Sequence, residues 1–424
     1  MNQKEIYGAI EFVDHEVRFV LGEFHNNQLN ILKTESLFTD AIDKIEIVDM
    51  QKLVNNVKEV INTASEKMGF KINKVLLLIP SYSINRYSKR VKIVNKKDEA
   101  YFTKKHISKT VSQALDLEYN DDEVLINQVV NRYIIDGVSS SKLNLDKKIS
   151  EIQVDVDIYT GPKALIFDYL SVIEAAGFNV LDIVLDTYAM AMEMALLDHS
   201  RNKNIILLKY ERKNLTMSLL SRRRIISSLM IDLGYCALTE AIIKDNNISE
   251  KNAEKLILTN NYLAIEDNQK VPVFLYSEGN ETKSIDDNYL HNLLMPVLEK
   301  QFNEISEMIK EIIDKDSSEV YITGKGASIF SLSSVCQKIL NCKTKVYTPQ
   351  ILGARKGSLV SCLGAIYAYK DESIFDSSKD NSIDDLEFRQ EVNIKSSIST
   401  SPKDEMEDSM ANRFMELFKL NKDN

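Results

Sequence analysis

Five residues in the last third of the chain, Thr323-Gly324-Lys325-Gly326-Ala327, could do chemistry of a definite kind. They follow the short apolar run Val320-Tyr321-Ile322, and from Ala327 the apolar positions Phe330 and Leu332 continue at helical spacing. A strand that ends in a glycine-rich turn and opens a helix lets backbone N–H groups approach a phosphate or nucleotide closely. The same arrangement also serves as a plain strand–helix connector, and both readings stand at this point. Glycine usage bears on the choice. Only 13 of 424 residues are glycine, about 3% against a usual level of about 7%.

Other chemistry is sparse. Cys236, Cys336, Cys342 and Cys362 form no CxxC pair and the five histidines are scattered, which argues against a zinc site or a disulfide framework and for reduced thiols in a cytosol. No catalytic residue or metal ligand is assigned. The net charge of −10 supplies no basic excess to displace counterions, so nucleic acid is not an expected partner. Arg222-Arg223-Arg224 reads as a solvated turn or as a polymer or lipid contact, and Met190, Met192 and Met194 as helix packing. The opening MNQKEIYGAI lacks an apolar signal core, and the most apolar helical region, Tyr188–Leu197, is interrupted by Glu193 and too short to span a bilayer. Near the C-terminus, Met410, Phe414, Leu417 and Phe418 fall at i, i+4, i+7 and i+8, with Arg413, Glu416 and Lys419 on the other side. That is an amphipathic helix suited to a membrane surface or to docking on protein.

The elements that would position these residues come in two rounds. Ile6–Phe12, Glu16–Phe24 and Gln28–Thr34 read as a three-stranded meander, followed by a helix over Met50–Met68 and a fully apolar strand over Lys74–Pro80. Tyr87–Thr160 reads as an insertion of strand (Arg90–Val94), helix (Glu99–Leu115) and two strands (Val124–Ile135, Ile149–Tyr159). A helix from Lys163, a strand at Val180–Val184 and a helix from Tyr188 complete the first round. At Asn204 the pattern restarts: a meander over Ile205–Ile231, a helix after Gly234, a charged mixed segment to Ile285 and a long helix over Asp286–Ile313. The strand at Val320, a helix to Leu340, a strand at Lys345–Tyr347 and a helix over Ser358–Tyr369 follow. Two halves of the same βββαβα order imply a duplicated α/β architecture whose lobes face a cleft containing the Gly324 turn. Asp371–Asp408 reads as a disordered acidic linker.

The order of elements resembles the FtsA family of bacterial cell-division proteins, within the actin/Hsp70 superfamily, over nearly the whole chain. Thr323–Ala327 is similar to the family's adenosine motif, TGGAA. Asn127–Asp136 is similar to its H-x-I-P-x-x-Y-x-I-D strand without the His and Pro. Asp232-Leu233-Gly234 with Thr239 is similar to its glycine-then-helix step, and Leu363-Gly364-Ala365 to its closing helix. The resemblance implies an actin-like (RNase H-like) two-lobed α/β fold with an FtsA-type subdomain insertion. Divided accordingly, the first lobe comprises 1–86 and 163–203, with an inserted subdomain at 87–162. The second lobe comprises 204–242 and 316–351, with an insertion at 243–315. A closing helix (352–370), the linker (371–408) and the terminal amphipathic helix (409–424) complete the chain.

The resemblance also carries functional expectations. Gly234, Thr323, Gly324, Lys325, Gly326 and Ala327 would contact ATP with Mg²⁺, and Met410, Arg413, Phe414, Leu417, Phe418 and Lys419 would hold the inner face of the cell membrane at the division site. The partners implied are the C-terminal peptide of FtsZ, which the family binds near the helix over Leu290–Ile313, and other copies of the chain. Pro296 fits that helix, whereas Val297 stands where the family has an arginine. The family's two phosphate loops fall on Glu11-Phe12-Val13-Asp14 and on Leu208–Lys213, and neither contains glycine. Tyr210 and Glu211 would crowd a phosphate, and Glu11 with Asp14 would repel one unless Mg²⁺ bridged them or Arg212 and Lys213 compensated. ATP binding is therefore expected to be weak or absent. The alternatives are an ATP-hydrolysing enzyme of the Hsp70 or kinase type, and a pilus-assembly protein like PilM on the same fold.

Overall fold

The computed structural model describes residues 5–94, 120–140, 149–246, 248–263, 271–278, 281–313, 317–372 and 380–384, with the single positions 102, 107, 108, 111, 143 and 388. Residues 1–383 form one compact unit, and 384–424 cluster separately. The terminal helix expected at Met410–Leu420, most of the linker before it and most of the helix expected at Glu99–Leu115 lie outside the described residues.

The first lobe opens with β1 (Glu5–Val13), β2 (Glu16–His25) and β3 (Gln28–Phe38), an antiparallel meander, and then two short strands, β4 (Ile42–Asp43) and β5 (Glu46–Ile47). Helix α1 (Met50–Met68) starts where the Asp49 side chain accepts from the Lys52 N–H and stops at Gly69 with φ 70°. Its buried positions Leu53, Val57, Val60, Ile61 and Ala64 make one stripe. β6 (Lys74–Ile79) then runs parallel to β1. β7 (Asn85–Val94), β8 (Glu123–Ile135), β9 (Val138–Ser140) and β10 (Glu151–Pro162) build a separate antiparallel sheet in the order β7-β10-β8-β9, over its own core of Ile152, Val154, Val156 and Ile158. α2 (Lys163–Ala175), β11 (Asn179–Leu185), α3 (Asp186–Glu193) and α4 (Leu196–His199) return to the main sheet, whose order is β11-β6-β1-β2-β3.

The second lobe repeats that path. β12 (Asn204–Tyr210), β13 (Leu215–Ser221) and β14 (Arg224–Ile231) form the meander. α5 (Cys236–Asn246) follows, and the charged mixed segment resolves into α6 (Glu250–Thr259) and a hairpin of β15 (Pro272–Glu278) and β16 (Glu281–Asp286). The long helix α7 (Asp287–Ile309) leads to β17 (Ser318–Thr323), α8 (Leu332–Leu340), β18 (Lys343–Val346) and α9 (Val360–Glu372). The sheet order, β14-β13-β12-β17-β18, has the same two antiparallel and two parallel pairings as the first. The fold is thus actin-like in its duplication. Two local expectations are corrected. Ala327 does not open the helix, because Lys325–Ser328 is a single 3₁₀ turn and Ser331, at φ 61°, delays α8 to Leu332. The last strand begins two residues earlier than expected, at Lys343, pairing with Glu319.

α9 packs on α3 at backbone distance. A Cβ built on Gly364 would lie 1.7 Å from the Ala189 carbonyl oxygen, and Val360, Cys362, Leu363, Ala365 and Ile366 around it are all buried. No side chain fits there without separating the helices. Gly364→Ala is therefore expected to lower stability by at least the ~1–3 kcal/mol typical of overpacking a core, read as a reduced melting temperature with unchanged far-UV dichroism at 25 °C. A wild-type melting curve would show that the two helices do not pack this closely.

Candidate functional site

Glu11 on β1 sits opposite Arg18 on β2, and Lys209 lies near the end of β12. These three charged residues interrupt apolar runs, and their side chains turn inward to where the two lobes meet. Arg18 is 1% exposed. Its two terminal nitrogens donate to the Glu211 carboxylate at 2.8 Å each, a bidentate fork across the lobes. Its Nε and one terminal nitrogen also reach Glu16, at 2.9 and 2.7 Å, and it donates to the Ser358 carbonyl at 3.2 Å. Lys209 donates to Glu11 at 2.6 Å and to Asp186 at 2.8 Å, crossing from the second lobe to the first. The other oxygen of Asp186 accepts from the Ser81 N–H at 2.9 Å.

Burial presses the Arg18 pKa downward, but the carboxylates of Glu16, Glu211 and Glu11 outweigh this and hold it well above its ordinary value. Lys209 is raised for the same reason, with Asp186 and Glu11 outweighing burial. Burial also works against ionised Glu16, yet Arg18, then Lys325 and Ser36, bring it down to about 2. Two cations therefore face four carboxylates (Glu11, Glu16, Asp186, Glu211) in a largely buried interface.

The turn singled out in the sequence packs against this cluster. Gly324 has φ 87°, and a Cβ there would lie 2.7 Å from the Tyr210 carbonyl and 2.9 Å from Glu211. At Gly326 it would lie 2.4 Å from the Tyr210 ring. The Lys325 N–H points to Glu211 at 3.4 Å, its Nζ pairs with Glu254 at 3.0 Å, and Thr323 Oγ1 donates to the Gly357 carbonyl at 3.0 Å. Ala327 is buried, with its N–H on the Gly324 carbonyl at 3.3 Å. Gly234 is held equally closely, since a Cβ would lie 2.0 Å from the Arg212 carbonyl. Gln301 donates to the Gly234 carbonyl at 2.8 Å and accepts from the Tyr210 hydroxyl at 2.6 Å. Gly324 and Gly326 thus pack on Tyr210 and Glu211, and Gly234 on the backbone of Arg212 and Lys213, with Thr323, Lys325 and Ala327 beside them.

ATP with Mg²⁺ does not fit this arrangement. The closest backbone approaches are used by the chain's own side chains, and the surplus of carboxylates opposes a triphosphate. The expected compensation is partial: Arg212 pairs with Asp14, as well as with Glu250, while Lys213 goes to Asp43 at 2.8 Å and neither cation reaches Glu11. Asp14, His15 and Asp43 do bring three possible metal-ligand atoms within 4.8 Å, but those same cations already neutralise the two carboxylates. Sequence reasoning weighed the acids and missed Arg18 and Lys209. The signal was there: a cation inside VRFVL and another inside IILLKY, each where a buried strand leaves it no solvent.

No family model matches the chain. Among curated proteins it is similar to the cell division protein FtsA of Bacillus subtilis (strain 168), 19% identical over 371 residues, which are 86% of this chain and 84% of that protein. It is 22% identical to FtsA of Enterococcus hirae over 84% of this chain and 81% of that protein, and 21% identical to FtsA of Staphylococcus epidermidis (strain ATCC 12228 / FDA PCI 1200) over 92% and 84%. Among solved structures it is similar to a PilM-PilN type IV pilus biogenesis complex, with TM-score 0.56, 14% identity and coverage of 85% of this chain and 98% of that one. The ethanolamine utilization protein EutJ from Carboxydothermus hydrogenoformans gives 0.52 at 11% identity, over 87% and 90%. MreB5 of Spiroplasma citri bound to ADP gives 0.50 at 12% identity, over 88% and 98%. The structures bear on the fold alone.

Removing one member of a buried ionic cluster leaves its partners without compensation. Arg18→Met is expected to cost about 3–5 kcal/mol in urea unfolding. It should also remove the chief group that holds Glu16 near 2. Glu16's contribution is fully present above its ordinary 4.5 and is lost as pH falls through about 2, so the variant should begin acid unfolding at higher pH than the wild type. Equal urea midpoints and equal acid transitions would show that the cluster is not closed in solution.

Proposed function

We propose, from the premise that this chain is a divergent relative of the cell-division protein FtsA on an actin-like fold, that it is a division adaptor whose lobes are closed by its own side chains rather than by ATP with Mg²⁺. On this reading it self-associates and attaches to the inner face of the cell membrane through Met410, Arg413, Phe414, Leu417, Phe418 and Lys419. It tethers FtsZ filaments there by their C-terminal peptide. The observation that carries the reading is the joint one: relatives named FtsA align along 84–92% of the chain, while Tyr210 and Glu211 pack on the Gly324–Gly326 turn and Arg18 and Lys209 pair across the lobes.

The anchor is derived from sequence. Among the described residues no helix is long and apolar enough to cross a membrane. Four large apolar side chains at roughly 1.5–3 kcal/mol each offer about 6–12 kcal/mol of burial, and ordering the helix and immobilising it subtract from that. One copy binds weakly, and several copies in a polymer hold by avidity. A pilus-assembly role shares the fold, but the sequence relatives carry the division protein's name.

Two measurements test this reading. Adding millimolar ATP with Mg²⁺ is expected to leave the melting temperature unchanged, because a ligand stabilises only the fold that binds it; a rise of several degrees would sink the self-closed reading. In vesicle flotation with an FtsZ, the full chain should carry FtsZ filaments upward, and Phe414→Glu with Phe418→Glu should abolish flotation of both. Flotation unaffected by the double substitution would rule out the anchor, and a floating chain that leaves FtsZ behind would rule out the tether.

A further inference from the structure

Six arginines, Arg86, Arg132, Arg201, Arg222, Arg223 and Arg224, line one cavity of about 600 Å³ between the inserted sheet and the β13–β14 hairpin. Three carboxylates serve them. Asp155 accepts from Arg132 at 2.6 Å, and Asp157 lies 3.6 Å from Arg86 and 3.3 Å from Arg224. Asp198 lies 3.4 Å from Arg201 and also pairs with Arg223. Asp155 is shared further with Arg90. Six guanidinium groups against three acids leave an excess of positive charge, on a chain whose net charge is −10. The hairpin turn is strained to place them: Arg222 and Arg223 have φ of 51° and 66°, a left-handed pair in which asparagine and glycine are the unstrained choices.

A second observation is independent of charge. Asn131 lines the same cavity and is 5% exposed, and among the described residues neither its side-chain Oδ1 nor its Nδ2 has a hydrogen-bond partner. Leaving such a group unpaired costs about 1–3 kcal/mol, and it faces the same space as the arginines. Its needs discriminate among ligands. A fully ionised phosphate only accepts, so it would answer Nδ2 and leave Oδ1 unmatched. A peptide group offers both an N–H and a C=O. Ile226, 38% exposed at the cavity wall, adds an apolar contact of the kind a peptide side chain can use. A flat bilayer cannot reach Asn131.

We propose that this cavity is a binding site for an acidic peptide segment of a partner protein, whose Asp or Glu carboxylates dock on the arginine forks and whose main-chain amide pairs with Asn131. Bidentate guanidinium–carboxylate geometry supplies orientation as well as attraction. Burial already presses the Arg223 charge downward, so an added carboxylate is favoured there. The site is separate from the interlobe cluster and does not depend on the role proposed for the terminal helix.

The test uses the full chain and a fluorescein-labelled peptide of alternating Asp and Glu, followed by anisotropy at low salt, with pyrophosphate as competitor. Binding is expected, with about tenfold weaker affinity for Arg132→Gln combined with Arg222→Gln, since each removes a charged partner. Asp155 keeps Arg90 in that variant, so the wall remains neutralised. Asn131→Leu should weaken the peptide severalfold more than it weakens pyrophosphate, because the peptide loses both partners and the oxyanion only the Nδ2 donor, which separates peptide recognition from simple oxyanion capture. Should either variant unfold by circular dichroism, Arg222→Glu, on an exposed turn residue, decides the matter by the same loss of binding. The proposal is overturned if the wild type does not bind the peptide. It is equally overturned if these substitutions leave affinity unchanged, or if Asn131→Leu affects peptide and pyrophosphate alike.

Discussion

A charge taken out of water must be met by other charges, and the contact between the two lobes is organised by that requirement. Arg18 cannot reach solvent, so its guanidinium is satisfied by Glu211 across the interface, by Glu16 beside it and by the Ser358 carbonyl. Lys209 solves the same problem in the opposite direction, crossing to Glu11 and Asp186. The two links run from opposite lobes, so displacing either lobe breaks both. Replacing such a cluster with apolar residues can be neutral or even stabilising. Its distinctive property is directional: a fork of two N–H···O bonds tolerates few relative orientations, whereas an apolar contact tolerates many.

The scarcity of glycine then has a physical reading. Lack of a Cβ can make room for a ligand or for the protein itself. At Gly324 and Gly326 the space is taken by Tyr210 and Glu211, and at Gly234 by the backbone of Arg212 and Lys213. The Tyr210 hydroxyl, Gln301 and the Gly234 carbonyl form a hydrogen-bonded chain that ties the turn to α7 and to the start of α5. These glycines therefore remain necessary for packing whatever the cleft binds, and a motif read from them alone identifies the fold better than the ligand.

Much of this fold was legible in the chain. The uniform apolar run of β6, the glycine that stops α1 at Gly69 and the repeated meander all have local causes, and local causes survive into three dimensions. The site was legible only in part. Tyr210 and Glu211 could be named as obstructions because their bulk and charge are visible at the residue level. That Arg18 would meet Glu211, 193 positions away, is a property of lobe packing and has no local signature. The arginine run at 222–224 read as a solvated turn or as a polymer or lipid contact, and not as part of a cavity, for the same reason, since Arg86 and Arg132 join it only once the inserted sheet is in place. The late start of α8 turned on the left-handed backbone of Ser331, which spacing does not reveal.

The distribution of charge connects these observations. At the centre, carboxylates outnumber cations and anions are opposed; at the junction of the inserted sheet with the β13–β14 hairpin, arginines outnumber carboxylates and anions are favoured. Glu211 is an anion that the second lobe carries and the first lobe grips through Arg18, so the lobe contact holds its own negative charge. Further negative charge is opposed at that contact and compensated at the arginine cavity, where guanidinium groups exceed carboxylates.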